Sequence, residues 1–173
     1  MNIGSGVGAG IVINGNIYRG KDNMAGEIGY ISLNTNTKVC ECGQTGCLQA
    51  TITESAILQE ARTVRPGIDL DGFAAVYAAG ETWARKLMEL ACGTIITTIN
   101  LLANTYASEA IILCGSLIDN YPVFRQLIDE AYASRQTSFL DTNFDLCYSG
   151  FSSDGNVIGA ATMALGSLIK QLA

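Results

Sequence analysis

Alternating glycines near the start of the chain restrict its fold more than any other feature. Four of them occupy every second position: Gly4, Gly6, Gly8 and Gly10. An apolar segment over 11–13 follows directly, and an Asn14-Gly15 pair separates it from a second β-prone segment over 16–18. Asn-Gly between two such segments is the strongest short-range signal for a two-residue hairpin turn. The sequence therefore predicts a glycine-rich hairpin.

The glycines also make this segment a candidate for binding an anion, because backbone N–H groups converge on a phosphate only where no side chain intervenes. A dinucleotide fingerprint is excluded, since it requires a helix directly after the glycines, and a Walker loop is excluded because no Lys-Ser or Lys-Thr ends the run. The candidate phosphate-binding residues are Gly4, Ser5, Gly6 and Gly8. The alternative is that the glycines serve only a tightly packed, twisted strand turn.

A second feature is a cluster of cysteines within eight positions, formed by Cys40, Cys42 and Cys47. The glycines between them let the chain double back, so that three thiolates present three corners of a tetrahedral zinc site. The fourth ligand is missing, and its candidates are a carboxylate, a water or a distant cysteine. The alternative is a loop that keeps its cysteines without metal. The chain has no histidine, which excludes Ser-His and Cys-His nucleophile pairs.

Hydrophobic periodicity in the rest of the chain predicts helices alternating with strands. Helices are expected over about 52–62, with a capping box beginning at Thr51, then at 73–77, and in a long central segment that begins near Gly80. A continuous apolar run over 110–114 predicts a strand buried on both faces. A helix from 119, a strand over 144–148 and a last helix after Gly155 complete the order, which is that of an α/β domain.

The expected organisation is a single domain over 1–173, with the glycine hairpin and cysteine loop in 1–50 and a helix-rich α/β part in 51–173. The first strand begins at residue 1 or 2 with no preceding element to pair against, so the sequence is expected to be part of a larger fold. The last helix places apolar residues on one face, at Ile158, Ala161, Leu165, Leu168, Ile169 and Leu172.

Composition limits the partners of the chain. Ten basic and sixteen acidic residues give a net charge of −6 without a basic run, so this chain is not expected to bind nucleic acid. No uninterrupted apolar stretch approaches the roughly 20 residues of a membrane span and no signal peptide is recognisable, so we expect a cytoplasmic protein without membrane contact. Charged residues make up only 15%, against roughly 25% on average. A missing N-terminal half of the same protein or a homo-oligomer contact would explain that difference.

Taken together, these motifs resemble the ROK family of sugar kinases and sugar-responsive transcriptional repressors. The segments that carry the resemblance are the glycine hairpin and residues 25–29, 40–48 and 158–161. The resemblance covers the whole chain as the C-terminal half of a ROK module. It implies a partial actin-like, ribonuclease-H-like ATPase fold, in which the glycine hairpin is the second phosphate segment.

The resemblance also implies a sugar site. Glu27 matches the family's glutamate that hydrogen-bonds sugar hydroxyls. Tyr30 stands where the family has a histidine that completes the zinc site and faces the sugar. Gln49 stands where the family has a glutamate; its amide donates and accepts but carries no charge, which implies weaker or differently selective sugar binding. Cys114-Gly115-Ser116 stands where the family has a Gly-Gly pair. The adenosine contact that the family makes there is therefore not assigned to this chain.

The resemblance places the first phosphate segment and the catalytic aspartate upstream of the matching region, so we assign no catalytic residue and expect no kinase activity from this chain by itself. The leading hypothesis is the sugar-sensing C-terminal domain of a ROK-type transcriptional regulator that binds a sugar or sugar phosphate, because a sensor needs affinity but no transition-state geometry. One alternative is the C-terminal half of an ATP-dependent ROK sugar kinase, with ATP as its cofactor. The other is a degenerate dimerisation scaffold.

Overall fold

The glycine-rich start forms two short antiparallel pairs in the computed structural model, which describes residues 1–33, 37–133, 144–151 and 154–172, with the backbone alone over 166–172. β1 (Asn2–Ile3) pairs with β2 (Val7–Gly8), and β3 (Val12–Ile13) pairs with β4 (Asn16–Ile17). Asn14 and Gly15 connect β3 to β4 with φ of 51° and 72°. Two consecutive residues with positive φ match the strand twist, which is why Asn-Gly is favoured there.

A parallel sheet joins the first residues to the last third of the chain. β5 (Ala110–Leu113) pairs in parallel with β6 (Asp145–Tyr148). On its other edge, Cys114 N–H donates to the Met1 carbonyl at 3.0 Å and Ile3 N–H donates to the Cys114 carbonyl at 2.8 Å. The glycine segment is therefore anchored at the carboxyl end of β5.

The prediction that this strand is buried on both faces is wrong. Ile111 and Leu113 are buried, whereas Ile112 between them is 54% exposed. Successive side chains of a strand point to opposite faces, and the residues that the structure describes cover only one of those faces.

Seven α-helices follow the glycine segment in the described part of the chain. They are α1 (Gln49–Ile52), α2 (Glu54–Val64), α3 (Leu70–Ala78), α4 (Thr82–Tyr106), α5 (Ser116–Asn120), α6 (Pro122–Ala133) and α7 (Gly155–Leu172). The capping box expected from Thr51 is wrong, because the Thr53 hydroxyl caps α2 by accepting from Ala56 N–H at 3.2 Å. Thr51 lies inside α1 and its hydroxyl donates to the Cys47 carbonyl at 3.0 Å.

α4 is the central helix, as its apolar pattern predicts, and it packs against α1, α2, α3 and α6. By length and composition alone this helix would also span a bilayer, but half of its most apolar stretch is buried inside the protein. Packing in the core accounts for the apolar residues of the buried half.

The last helix has an uncovered apolar face. Val157, Ile158 and Leu165 are 71%, 40% and 58% exposed. The apolar residues predicted at 168, 169 and 172 lie outside the described side chains. In the part of the chain that the structure describes, the first half of α7 therefore does not contribute to the core.

Candidate functional site

The glycine segment lies in direct backbone contact with the segment that carries Glu27. Ala9 N–H donates to the Gly26 carbonyl at 2.8 Å. Gly26 has φ +90°, and a Cβ there would overlap the Ala9 carbonyl oxygen. A Cβ on Gly29 would lie 2.6 Å from the Val7 carbonyl oxygen. Two glycines of the second segment are therefore required by the close approach of the first.

Gln49, the first residue of α1, connects these two segments through its side chain. Its Oε1 accepts the Val7 N–H at 3.0 Å. A Cβ on Gly29 would lie 3.1 Å from the same oxygen, and one on Gly6 would lie 3.9 Å from both terminal atoms of the amide. The side chain thus occupies the gap between the glycine segment and residue 29. The sequence does not reveal the bond to Val7, because a backbone N–H has no side-chain signature.

The other two candidate sugar-binding residues lie beside this gap. Glu27 is exposed and immediately precedes a 3₁₀ turn, Ile28–Tyr30. The Tyr30 side chain is exposed, and the negative charges of Glu41 and then Glu27, together with desolvation, raise the pKa of its hydroxyl. At neutral pH the phenol is protonated, as any tyrosine is, and its hydroxyl can donate a hydrogen bond in a region made negative by two carboxylates. Glu41, which sequence reasoning did not single out, is part of this group.

Of the candidate phosphate-binding residues, three have backbone groups engaged within the protein. Gly4 N–H donates to the Gly6 carbonyl at 3.1 Å, and Gly8 pairs with Asn2 in the β1–β2 ladder. Ser5 is exposed in the turn between those strands. The assignment of these residues to a phosphate stays a prediction.

The three clustered cysteines bring their sulfur atoms within 4.8 Å of one another. Cys42 Sγ and Cys47 Sγ are 3.6 Å apart. Thiolates 2.3 Å from a tetrahedral zinc ion are about 3.8 Å apart. The loop closes through Cys40 N–H, which donates to the Gln44 carbonyl at 2.7 Å. The donor set and its spacing thus fit three of the four ligands of a zinc ion.

The cysteine environments differ in a way that matters for metal binding. A backbone hydrogen bond from Gln44 lowers the pKa of the exposed Cys42 thiol, whereas burial raises the pKa of the Cys47 thiol. Binding of a metal ion to Cys47 therefore requires the loss of its thiol proton, and that proton is released to solvent.

None of the other three cysteines, Cys92, Cys114 and Cys147, belongs to this group in the part of the chain that the structure describes. Cys92 is buried in α4, and Cys114 bonds to the Met1 carbonyl at the end of β5. No further cysteine or carboxylate of the described residues joins the three-sulfur group. The Tyr30 hydroxyl lies near the thiols, whose charge contributes to its raised pKa, but a protonated phenol is a poor zinc ligand. The candidates for a fourth zinc ligand are therefore a water and a carboxylate that lies outside this group.

An arrangement that sequence reasoning missed holds the end of β5 in place. Gly115 has φ +106°, and its N–H donates to Asp119 Oδ2 at 3.1 Å. Asp119 Oδ1 accepts from Arg125 at 2.9 Å. A Cβ on Gly4 would lie 3.1 Å from Ser116 N. The turn after β5 therefore fixes the position of the glycine segment.

Comparisons with known proteins match this sequence and fold. A sequence model of the ROK family matches residues 1–167. The xylose repressor of Bacillus subtilis is 25% identical over 175 residues, covering 99% of this chain and 45% of that protein. The N-acetylmannosamine kinase of Escherichia coli is 27% identical over 168 residues, covering 96% of this chain and 56% of that protein. The chain thus spans about half the length of these curated relatives.

A solved structure, the ROK hexokinase from Thermus thermophilus, matches with a TM-score of 0.83 at 23% identity, covering 93% of this chain and 56% of that chain. At that identity the match concerns the fold alone. It agrees with the expected α/β architecture of an actin-like ATPase, of which this chain forms a part.

Proposed function

Because this chain belongs to the ROK family, we propose that it is the C-terminal part of the sugar-binding module of a ROK-type transcriptional regulator. Its ligand is a sugar or a sugar phosphate. Glu27, Tyr30 and Gln49 contact the sugar, and Ser5 with Gly4, Gly6 and Gly8 lies at the phosphate side. In the complete protein, the sugar shifts the populations of domain arrangements and so the DNA-binding state.

The observation that carries this proposal is the bond between Gln49 Oε1 and Val7 N–H at 3.0 Å. It links the glycine segment to the first turn of α1, directly beside Glu27 and Tyr30. The resulting surface offers a carboxylate acceptor, a phenol donor and an amide, which is a set suited to recognising hydroxyl groups.

The second candidate is the C-terminal half of an ATP-dependent sugar kinase. The N-acetylmannosamine kinase relative, which matches along 96% of this chain, favours it. In that case the remainder of the protein supplies the catalytic base and the other part of the ATP site. Both candidates place the protein in the cytoplasm and are compatible with a homo-oligomer.

The metal centre has a structural role in this proposal. Cys40, Cys42 and Cys47 would hold a zinc ion that fixes the loop next to Tyr30 and Gln49. Zinc with thiolate ligands stabilises a fold without redox chemistry. The glycines and thiols then form one wall of the sugar pocket.

The test uses the full-length protein. Thermal shift and calorimetric titration with hexoses, amino sugars and their phosphates should identify a ligand. Adding that ligand should change how strongly the protein retards a DNA fragment from the region upstream of the gene in a gel. Turnover of the same sugar with ATP and Mg²⁺ in a coupled assay would instead establish the kinase. If neither sugar nor nucleotide binds, both proposals fail and a degenerate dimerisation scaffold becomes the better description.

A further inference from the structure

The three clustered cysteines differ in their access to solvent, which matters for reactions other than metal binding. Cys42 is exposed, whereas Cys40 and Cys47 are buried. A small oxidant in solution therefore reaches the Cys42 sulfur first. The Cys47 sulfur lies 3.6 Å from it, whereas an S–S bond is about 2.05 Å long. A closer approach of about 1.5 Å would thus join the two sulfurs.

The backbone of the loop holds these sulfurs near one another. Cys40 N–H donates to the Gln44 carbonyl at 2.7 Å, and Gly43 N–H donates to the Cys40 carbonyl at 2.9 Å. Gly43 and Gly46 have φ of 85° and 76°, a conformation that glycine adopts without steric cost. The chain therefore turns back on itself between the two cysteines through its own hydrogen bonds.

Ring size and access favour one pairing of the three thiols. A bond between Cys40 and Cys42 would close a ring over a single intervening residue, which leaves little freedom to reach the disulfide torsion of about 90°. A bond between Cys42 and Cys47 closes over four residues, two of which are glycines with positive φ. A bond between Cys40 and Cys47 would require an oxidant to reach a buried sulfur first. Cys47 is therefore the partner of Cys42.

We propose that Cys42 and Cys47 form an oxidation site that reacts with hydrogen peroxide and ends as a disulfide. The Cys42 sulfur attacks one peroxide oxygen, the O–O bond breaks, and a sulfenic acid and one water result. The Cys47 sulfur then attacks the Cys42 sulfur, the S–O bond breaks, and the hydroxide leaves with the thiol proton as a second water. The two thiols lose two electrons and two protons in total, which reduce the peroxide to water.

The disulfide uses two of the three thiols that fit a zinc ion. Zinc binds the thiolate form of cysteine, so metal binding and disulfide formation are alternative states of the same loop. Oxidation also removes a contact near the start of α1, because the Cys47 thiol donates to the Tyr30 carbonyl at 3.7 Å. The disulfide itself does not depend on the proposed sugar function.

The experiment treats the full-length protein with hydrogen peroxide, both as purified and after removal of metal with a chelator, and then blocks the remaining thiols with iodoacetamide. Peptide mass spectrometry without reduction should find the Cys42 peptide linked to the Cys47 peptide with the loss of two hydrogen atoms. Dithiothreitol should reverse the link. Protein loaded with zinc should release about one metal ion for each disulfide formed, as a chromogenic chelator measures.

Variants assign the roles of the two sulfurs. Cys47→Ser should leave Cys42 as a sulfenic acid, which dimedone traps. Cys147→Ser removes an exposed cysteine outside the loop and should leave the yield of the disulfide unchanged. If Cys47→Ser does not fold, Cys42→Ser should leave Cys40 and Cys47 reduced, and their oxidation at an unchanged rate would refute the role of the exposed sulfur.

Three results with the unmodified sequence would overturn the proposal. They are a disulfide between Cys40 and Cys42, a Cys42 sulfenic acid that accumulates although Cys47 is present, and no reaction of the chelated protein with peroxide. Zinc that stays bound after the disulfide has formed would refute the exclusion of one state by the other.

Discussion

Replacing Gly26 by alanine separates two effects that hold the glycine segment against the Glu27 segment. The residue has φ +90°, and a Cβ would overlap the Ala9 carbonyl oxygen, which belongs to backbone and cannot rotate away. The left-handed conformation costs about 1–2 kcal/mol for a residue with a Cβ. Relief of the overlap requires the segments to separate, which loses the Ala9–Gly26 hydrogen bond of 2.8 Å, worth about 0.5–1.5 kcal/mol. The free energy of unfolding should fall by about 1.5–3.5 kcal/mol.

Two matched variants measure the cost of the backbone conformation separately from the cost of the overlap. Gly67 has φ +81° but nothing within 4 Å of a built Cβ, so Gly67→Ala should cost about 1 kcal/mol through backbone conformation alone. Gly10 has neither a positive φ nor a neighbour within 4 Å, so Gly10→Ala should change stability by less than about 0.5 kcal/mol. Urea denaturation of the full-length protein, followed by circular dichroism, measures all three. A loss for Gly26→Ala no larger than that for Gly67→Ala would refute the close approach.

Three further predictions concern the strand end and the cysteines. Asp119→Ala should lower the free energy of unfolding by about 2–3 kcal/mol, because the carboxylate, 5% exposed, accepts hydrogen bonds from both Gly115 and Arg125. Asp119→Asn should recover about half of that loss, because its side-chain oxygen still accepts from Gly115. In protein freed of metal with a chelator, iodoacetamide should modify Cys42 first and at a lower pH than an ordinary thiol, since its pKa is lowered and it is exposed. Cys92, whose pKa is raised to about 12 by burial, should react only after unfolding, as peptide mass spectrometry measures. Protein purified without chelator should contain one zinc per chain by elemental analysis and should protect Cys42 from the reagent; a zinc content near zero would favour a loop that keeps its cysteines without metal.

The sequence predicts the central helix well because its apolar residues recur over many turns of one element. It fails at β5, where a continuous apolar run suggests burial on both faces although Ile112 is exposed. Burial of a strand depends on what covers each face, and that information lies in other segments. The prediction of the N-terminus of α2 is wrong for a different reason. Thr51 and Thr53 are both plausible caps by residue type. The choice between them depends on the backbone, which continues as α1 up to Ile52.

In the candidate site, too, local features could be predicted and long-range contacts could not. The cysteine spacing is local, so three sulfur atoms within 4.8 Å follow from eight consecutive residues whose glycines let the chain turn. The contacts of Gln49 are not local, because its partner Val7 lies 42 positions away and contributes only a backbone N–H. The residue type at position 49 is therefore known from the sequence, whereas the direction of its amide is defined only in the folded chain.

Tyr30 and Gln49 together change the character of the site more than either does alone. Each carries a neutral side chain that offers a donor: the phenol of Tyr30 is protonated at neutral pH like any tyrosine, its pKa being raised further by the charge of Glu41, and the Gln49 oxygen is already engaged by Val7. The acceptors are then concentrated on Glu27 and Glu41. A ligand that matches this division must supply acceptors towards residues 30 and 49 and donors towards the two carboxylates. In the proposed sugar site, the hydroxyl groups of a sugar, which both donate and accept, would meet that requirement.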